Sequence, residues 1–254
     1  MTLLRVENLS KEFGGIHAVS ELSFVINPGT IHSIIGPNGA GKTTLFNLIT
    51  GVYTPSLGAI LFDDKSTAGK APYELAKRGM SRTFQNLQIF FNMTAIENVM
   101  VGRHLHLDRR FLPSLLRLPG IAKSDALARE KSAELMRFVG LEAYLDADAD
   151  AMPYGALKRL EIARALAAEP KLLLLDEPAA GLNATESREI DEVIVKVAQS
   201  GVTVVLVEHD MKMVMGISDH ILVLDYGKKL AEGTPAEVRN NPAVVAAYLG
   251  GAHA

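Results

Sequence analysis

The sequence predicts an α/β protein in which strands alternate with helices and one helical block is inserted. Three observations predict it. The apolar run Ile31–Ile35 leads into the glycine-rich stretch GPNGAGKTT at 36–44, and a helical pattern follows until Gly51. Two further apolar runs, Leu172–Leu175 and Thr203–Val207, have the length and leucine/valine content of strands buried on both faces. Between Thr94 and Asp150 the pattern is helical throughout and offers no good strand, so the alternation is interrupted there.

Taken in order, Leu3–Asn8 and Leu22–Ile26 read as strands separated by polar turns, with Phe13 beside the glycine pair Gly14–Gly15. Asn27-Pro-Gly-Thr30 is a turn, Ile31–Ile35 a strand and Gly58–Phe62 another. Met80–Gln85 reads as a short strand ending in an amide. Thr94 and Glu97 form a capping-box pair that starts a helix. Ser124 is placed as the N-cap of the next helix, whose Leu135, Phe138 and Val139 share a face before Gly140. Phe111–Leu116 is apolar and too short to cross a bilayer; it suits a protein partner or a core-facing loop. A loop at Met152–Gly155 runs into a helix with Leu160, Ile162, Ala163 and Leu166 on its buried side. Ala184–Gln199 is helical, His220–Asp225 and Lys228–Glu232 pair through Tyr226-Gly227, and helical pieces follow near Pro235–Asn240 and Pro242–Leu249.

The glycine-rich stretch has Gly36, Gly41, Lys42 and Thr43 in the G-x-x-x-x-G-K-[ST] places, between a strand and a helix. Gly36, Pro37, Asn38, Gly39, Ala40 and Gly41 let successive amides curl toward phosphate oxygens, and Thr44 continues the loop into the helix. The helix N-terminus adds partial positive charge, Lys42 reaches the outer phosphates, and the Thr43 hydroxyl suits Mg²⁺. Asp176 and Glu177 follow the leucine run at a strand's C-terminal end, where open α/β sheets bind ligands. Asp176 is placed to hold Mg²⁺, and Glu177 to orient or deprotonate a water. His209 follows Thr203–Val207 at the same sheet edge, in position to sense a terminal phosphate. Phe13 suits a base-stacking ring or a core plug, and Gln85 a metal or water contact or a plain surface amide. The N-terminus of the helix near Gly155 offers a second anion site.

Composition excludes several classes. The chain has 254 residues and a net charge of −3 with no basic block, which argues against sequence-independent nucleic-acid binding. It has no cysteine, so disulfides and thiolate metal sites are impossible. Charges at Arg5, Glu7, Lys11 and Glu12 break the N-terminal stretch, so no signal peptide is expected there. No run approaches the roughly 18 apolar residues of a membrane span, so work at a membrane would go through a partner.

The ordered set GPNGAGKTT, RTFQN, MPYGALKRLEIARAL, LLLLDEP, AAGLN and VEHD resembles the ATP-binding subunit of an ABC transporter over essentially the whole chain. The resemblance implies a P-loop NTPase (RecA-like) core with an antiparallel β subdomain and an inserted α-helical subdomain. It implies a division into 1–90 with 158–235 for the core and β subdomain, 91–157 for the helical subdomain with its signature loop, and 236–254 for a C-terminal tail. By the same resemblance, Phe13 stacks on adenine, residues 36–44 hold the phosphates of ATP, and Thr43, Gln85 and Asp176 serve Mg²⁺. Glu177, His209, Gln85 and Lys42 are the catalytic group. The family closes each ATP with a partner's signature loop, here Pro153, Tyr154, Gly155 and Ala156, with Asn183 as a dimer contact. Pro153 departs from the usual serine and offers neither hydroxyl nor N–H. Asn183 stands where an aspartate is common. The tail EGTPAEVRNNPAVVAAYLG, SRTFQN, MTAIENVMVGRH and VEHDMKMVM resemble subunits that power import of branched-chain amino acids. Subunits for urea, short amides or lipopolysaccharide export are similar, and a low-turnover regulatory module is the rival reading that Pro153 suggests. The implied partners are two transmembrane permease subunits, a second nucleotide-binding subunit and, indirectly, a periplasmic solute-binding protein, at the cytoplasmic face of the inner membrane.

Overall fold

The computed structural model describes residues 2–105 and 119–250, with backbone only for 119–124 and 249–250. The apolar stretch Phe111–Leu116 lies outside the described residues. The chain divides into two compact units. One contains residues 1–82, 171–177 and 194–254; the other contains 83–170 and 178–193.

The first unit holds two sheets. β1 (Leu4–Phe13), β2 (Ile16–Ile26), β4 (Leu57–Phe62) and β5 (Lys65–Ser66) form an antiparallel sheet in the order β2-β1-β4-β5. The first two strands run longer than their apolar cores suggest: register shifts at Val6/Leu9 and Leu9/Lys11 carry Asn8, Leu9 and Ser10 along the pairing. The second sheet runs β10-β9-β3-β8-β7-β6. Its strands are β3 (Ile31–Ile35), β6 (Met80–Arg82), β7 (Leu172–Asp176), β8 (Thr203–Val207), β9 (His220–Asp225) and β10 (Lys228–Gly233). All pairs are parallel except β9 with β10. Every residue of β3, β7 and β8 is buried, as their apolar runs require. Helix α1 (Lys42–Ile49) sends Leu45, Phe46, Leu48 and Ile49 into the same cluster as Leu4, Phe62, Leu174 and Val205. One buried core thus supports both sheets and the glycine-rich loop. α2 (Pro72–Lys77) is capped by Glu74, whose carboxylate accepts from the Ala71 amide.

The second unit is helical. α3 (Ala95–Gly102) starts at the expected capping box: the Thr94 hydroxyl accepts from the Glu97 amide, and the Glu97 carboxylate accepts from the Thr94 amide at 2.9 Å. α4 (Pro119–Phe138) contains Ser124, so the expected cap lies inside the helix. α5 (Tyr154–Leu166) buries Leu160, Ile162, Ala163 and Leu166 as the pattern indicated. α6 (Ala184–Gln199) begins in this unit and ends in the first. α7 (Met211–Ile217), α8 (Pro235–Arg239) and α9 (Pro242–Gly250) complete the first unit, with Val214, Val238 and Val244 packed against Ile221 and Val223 of β9.

His32 and His220 are register partners on β3 and β9, with ring centroids 5.3 Å apart. Burial first, and the charge of His220 second, lower the His32 pKa to about 4, against weaker opposing effects of Asp219 and Glu232. His32 is therefore neutral when folded but takes a proton when unfolded below its ordinary value of 6.5. The unfolded state binds more protons between these values, so this contribution to stability falls as pH drops from 6.5 toward 4. The loss is about 2 kcal/mol by pH 5 relative to pH 7. Urea midpoints of His32→Gln should accordingly fall less steeply over this range than those of the unaltered protein; equal slopes would remove His32 from the pH response.

Candidate functional site

β3, β8 and β7 are consecutive in the sheet, and all three end on the same edge. The loop after β3 carries Gly36–Gly41, the segment after β8 carries His209, and the end of β7 carries Asp176 and Glu177. The topology therefore brings the glycine-rich loop, Asp176, Glu177 and His209 to one edge, all within the first unit.

The loop's shape needs its glycines at two points. Gly36 has φ +154°, and a Cβ there would stand 2.2 Å from the Leu224 carbonyl oxygen. Gly41 has φ +97°, and a Cβ would stand 2.4 Å from the Ala18 oxygen. Gly41 is also the N-cap of α1, so no side chain caps that helix, and no acid occupies its first turn. The first-turn N–H groups remain for an anion. Asn38, Gly39 and Thr43 are exposed, while Pro37 and Thr44 are half-buried and Ala40 is buried. The Ala40 amide donates back to the Pro37 carbonyl at 3.1 Å, which closes the turn.

Lys42 is only 7% exposed. Its Nζ donates to the Gly36 and Pro37 carbonyls at 2.7 and 3.0 Å. Burial lowers its pKa, while the charges of Glu177 and Asp176 work in the opposite direction. The ammonium is thus held inside the loop, with both carboxylates close enough to act on it.

Glu177 takes φ +50°, a left-handed value that a non-glycine residue adopts at a cost of roughly 1 kcal/mol or more. Its amide donates to the Val207 carbonyl at 2.9 Å, which fixes the turn against β8. Its Oε1 lies 2.7 Å from His209 Nε2. The histidine, placed by sequence to sense a phosphate, is paired here with the carboxylate expected to handle water. Asp176 is buried, and its Oδ2 accepts from Arg82 Nη2 at 2.8 Å. Sequence reading missed Arg82. The available signal was a guanidinium in a strand next to buried Met80, which demands a buried counter-charge; the identity of that partner was not readable.

Phe13 ends β1 and is 41% exposed, so it is not a core plug. Tyr53 meets it edge-on at 5.3 Å, and the Lys11 ammonium lies 4.9 Å from its centroid.

The remaining candidates lie in the second unit. Gln85 is exposed and stands three residues beyond the end of β6, so the strand stops short of it. Pro153 is the N-cap of α5 and supplies no side-chain cap; Tyr154 is 44% exposed and Ala156 is buried. Gly155 lies so near Glu186 that a Cβ would meet its carboxylate oxygen at 2.7 Å. The Asn183 side chain has a local role that sequence reading did not anticipate. Its Oδ1 accepts from the Thr185 and Glu186 amides at 2.9 and 3.0 Å, and Glu186 Oε2 accepts from the Asn183 amide. That is a capping box for α6, legible in the spacing Asn183-x-x-Glu186.

The donor set at the sheet edge suits a hard cation. The Thr43 hydroxyl and the Asp176 carboxylate are oxygen ligands, and a Mg²⁺ that shares a nucleotide's phosphates needs only one or two of these from protein. Among the described residues no cluster of three or more His, Asp or Glu is assembled as an all-protein metal cage.

Comparison with known proteins bears on the whole arrangement. The profile of the family described as ABC transporter matches residues 19–180. A second profile, described as branched-chain amino acid ATP-binding cassette transporter, matches residues 228–254. The high-affinity branched-chain amino acid transport ATP-binding protein BraF of Pseudomonas aeruginosa is 44% identical over 249 residues, covering 98% of each chain. LivG of Escherichia coli, whose name describes the same role, is also 44% identical over 249 residues, again with 98% of each chain covered. Among solved structures, the ADP conformation of an ATP-binding cassette of an ABC transporter superposes with a TM-score of 0.86 at 35% identity, covering 98% of this chain and 99% of the other. With the loop, the acid pair and the histidine on one sheet edge, and with similarity of this extent, the chain belongs to the ABC transporter family as one of its ATP-binding, ATP-hydrolysing cassettes.

Proposed function

We propose that this cassette hydrolyses ATP with Mg²⁺ to power import of branched-chain amino acids through a membrane complex. The observation that carries the hydrolytic part is the convergence of Lys42, Asp176, Glu177 and His209 on one sheet edge. The cargo rests on the relatives' names, since both describe branched-chain amino acid transport at full-length similarity.

Each residue has a physical task. The amides of residues 36–44 and the first turn of α1 hold the phosphates, and Lys42 offsets their charge. Thr43 and Asp176 would hold Mg²⁺, which would supply positive charge beside the phosphates. Glu177 orients a water and accepts its proton. His209 holds Glu177 in place, and it can exchange that bond for one to a phosphate oxygen, which would leave the carboxylate to water. Phe13 stacks on the base. Pro153–Ala156 of one copy face the nucleotide of a second cassette, and two permease subunits receive the motion. No helix among the described residues is long and apolar enough to cross a membrane, so peripheral attachment through those permeases supplies the location. A solute-binding protein would deliver the cargo.

The test is reconstitution with the permease subunits and binding protein in liposomes. ATP-dependent uptake of labelled leucine or isoleucine is expected. Uptake of urea or short amides instead would transfer the cargo assignment, and ATPase activity no higher than that of Glu177→Gln would replace transport with a low-turnover regulatory role.

Pro153 makes a separate, quantitative expectation. A serine there could cap α5 and donate to a partner's phosphate, and one charge-assisted hydrogen bond is worth roughly 1.5–3 kcal/mol. In a Glu177→Gln background, Pro153→Ser should tighten ATP-dependent dimerisation about tenfold or more, as read by sedimentation. An unchanged dimer constant would show that residue 153 does not reach the partner's nucleotide.

A further inference from the structure

We propose that Arg82 is a positioning residue of the magnesium site, setting how Asp176 is presented to the metal. The proposal rests on reading Asp176 as the magnesium aspartate. Both side chains are only 8% exposed, so neither charge can be satisfied by water. A buried carboxylate needs a cationic partner to fix its place. Arg82 supplies one: Nη2 donates to Asp176 Oδ2 at 2.8 Å.

The other side of the guanidinium is anchored to α1. Nη1 donates to Asn47 Oδ1 at 2.7 Å and to Thr50 Oγ1 at 3.2 Å, and the Arg82 carbon lies 5.4 Å from the Phe46 ring centroid. Thr50 in turn donates its hydroxyl proton to the Phe46 carbonyl at 2.8 Å, so its oxygen is oriented to accept. Asn47 and Thr50 sit in the last turn and C-cap of α1, where a cation also meets the negative end of the helix dipole. The first turn of that helix carries Lys42 and Thr43. One planar fork thus ties the helix that presents Thr43 to the strand that presents Asp176. A lysine keeps the charge but cannot span both anchors.

Positioning and charge make opposite predictions. A cation beside Asp176 weakens the local attraction for Mg²⁺, so if charge alone mattered, removing Arg82 would tighten the metal. Loss of an outer partner of a ligating carboxylate instead weakens metal binding about 10–100-fold. The experiment titrates a fluorescent ADP, first without divalent ions and then with rising Mg²⁺, and counts bound Mn²⁺ by electron paramagnetic resonance in the same variants. In Arg82→Met, metal-free ADP affinity is expected within about threefold of the unaltered protein, with half-saturating Mg²⁺ raised about 10–100-fold. Arg82→Lys should behave more like Arg82→Met than like the unaltered protein. Asn47→Ala, which keeps the ion pair and cuts one anchor, should shift the metal titration in the same direction by less, and it serves if Arg82→Met does not fold. Unchanged or tighter metal binding in the Arg82 variants overturns the proposal, as does an equal loss of metal-free ADP affinity. Asp176→Asn is the separating control: if it leaves the Mg²⁺ titration untouched, the magnesium reading of Asp176 fails, whereas a large shift there with none in the Arg82 variants sinks only the role of Arg82.

Discussion

Glu177→Gln is expected to lower ATP turnover by about 10²–10⁴-fold while ADP affinity stays within about threefold. The amide has the shape of the carboxylate but cannot take a proton from water. The backbone around residue 177 should survive the change. Its left-handed φ of +50° is imposed by the turn after β7, whose amide bond to Val207 is independent of the side chain. The contact with His209 survives as well, because an amide oxygen can accept from Nε2 over the same 2.7 Å. Loss of turnover without loss of binding would therefore isolate proton acceptance from geometry. Turnover within about tenfold of the unaltered protein would move the role of base elsewhere, and the strained backbone at Glu177 would then need another explanation. His209→Ala tests the same pair from the other side and should cost less, since it removes a holder and not the acceptor.

The parts of the fold that were legible in the sequence are those whose environment is one-sided. Ile31–Ile35 and Thr203–Val207 matched their expected bounds because branched apolar residues dominate a strand buried on both faces, even though His32, Ser33 and Thr203 are buried with them. α6 matched from Ala184 to Gln199 because its apolar face repeats at helical spacing. Legibility failed where a distant partner decides the outcome. The residues after Asn8 read as a polar turn, yet Leu9–Phe13 belong to β1 because a shifted register keeps them paired with β2. Ser124 has a cap's chemistry, but it lies inside α4, which already includes the residues before it. The site divides in the same way. Lys42, Asp176 and Glu177 are visible because strand and loop context dictates them. The Arg82–Asp176 bond joins residues 94 positions apart, and no local pattern announces it. The meeting of Glu177 with His209 belongs to the same class: each was readable alone, and only the parallel pairing of β7 with β8 puts their side chains together.

Lys42→Met should separate folding from binding more sharply than any other single change in the loop. The ammonium sits among backbone carbonyls at 7% exposure, and burial outweighs the attraction of Glu177 and Asp176 in setting its pKa. Its charge is therefore poorly solvated where it stands. Methionine fills a similar length without a charge to bury, and what is lost is two hydrogen bonds to the Gly36 and Pro37 carbonyls. These effects oppose each other, so stability without nucleotide should change by no more than about 1–2 kcal/mol. With triphosphate present nothing compensates. The ammonium's two or three charge-assisted bonds to phosphate oxygens, at roughly 1.5–3 kcal/mol each, disappear, and ATP affinity should fall at least about 100-fold. The readout is the melting temperature with and without ATP and Mg²⁺. The unaltered protein should gain stability with ligand concentration, as mass action requires. Lys42→Met should start near the same temperature and gain almost nothing. A normal ligand-induced rise would mean that the phosphates bypass Lys42, and a collapse of the ligand-free protein would mean that the lysine's bonds to the loop serve folding before they serve ATP.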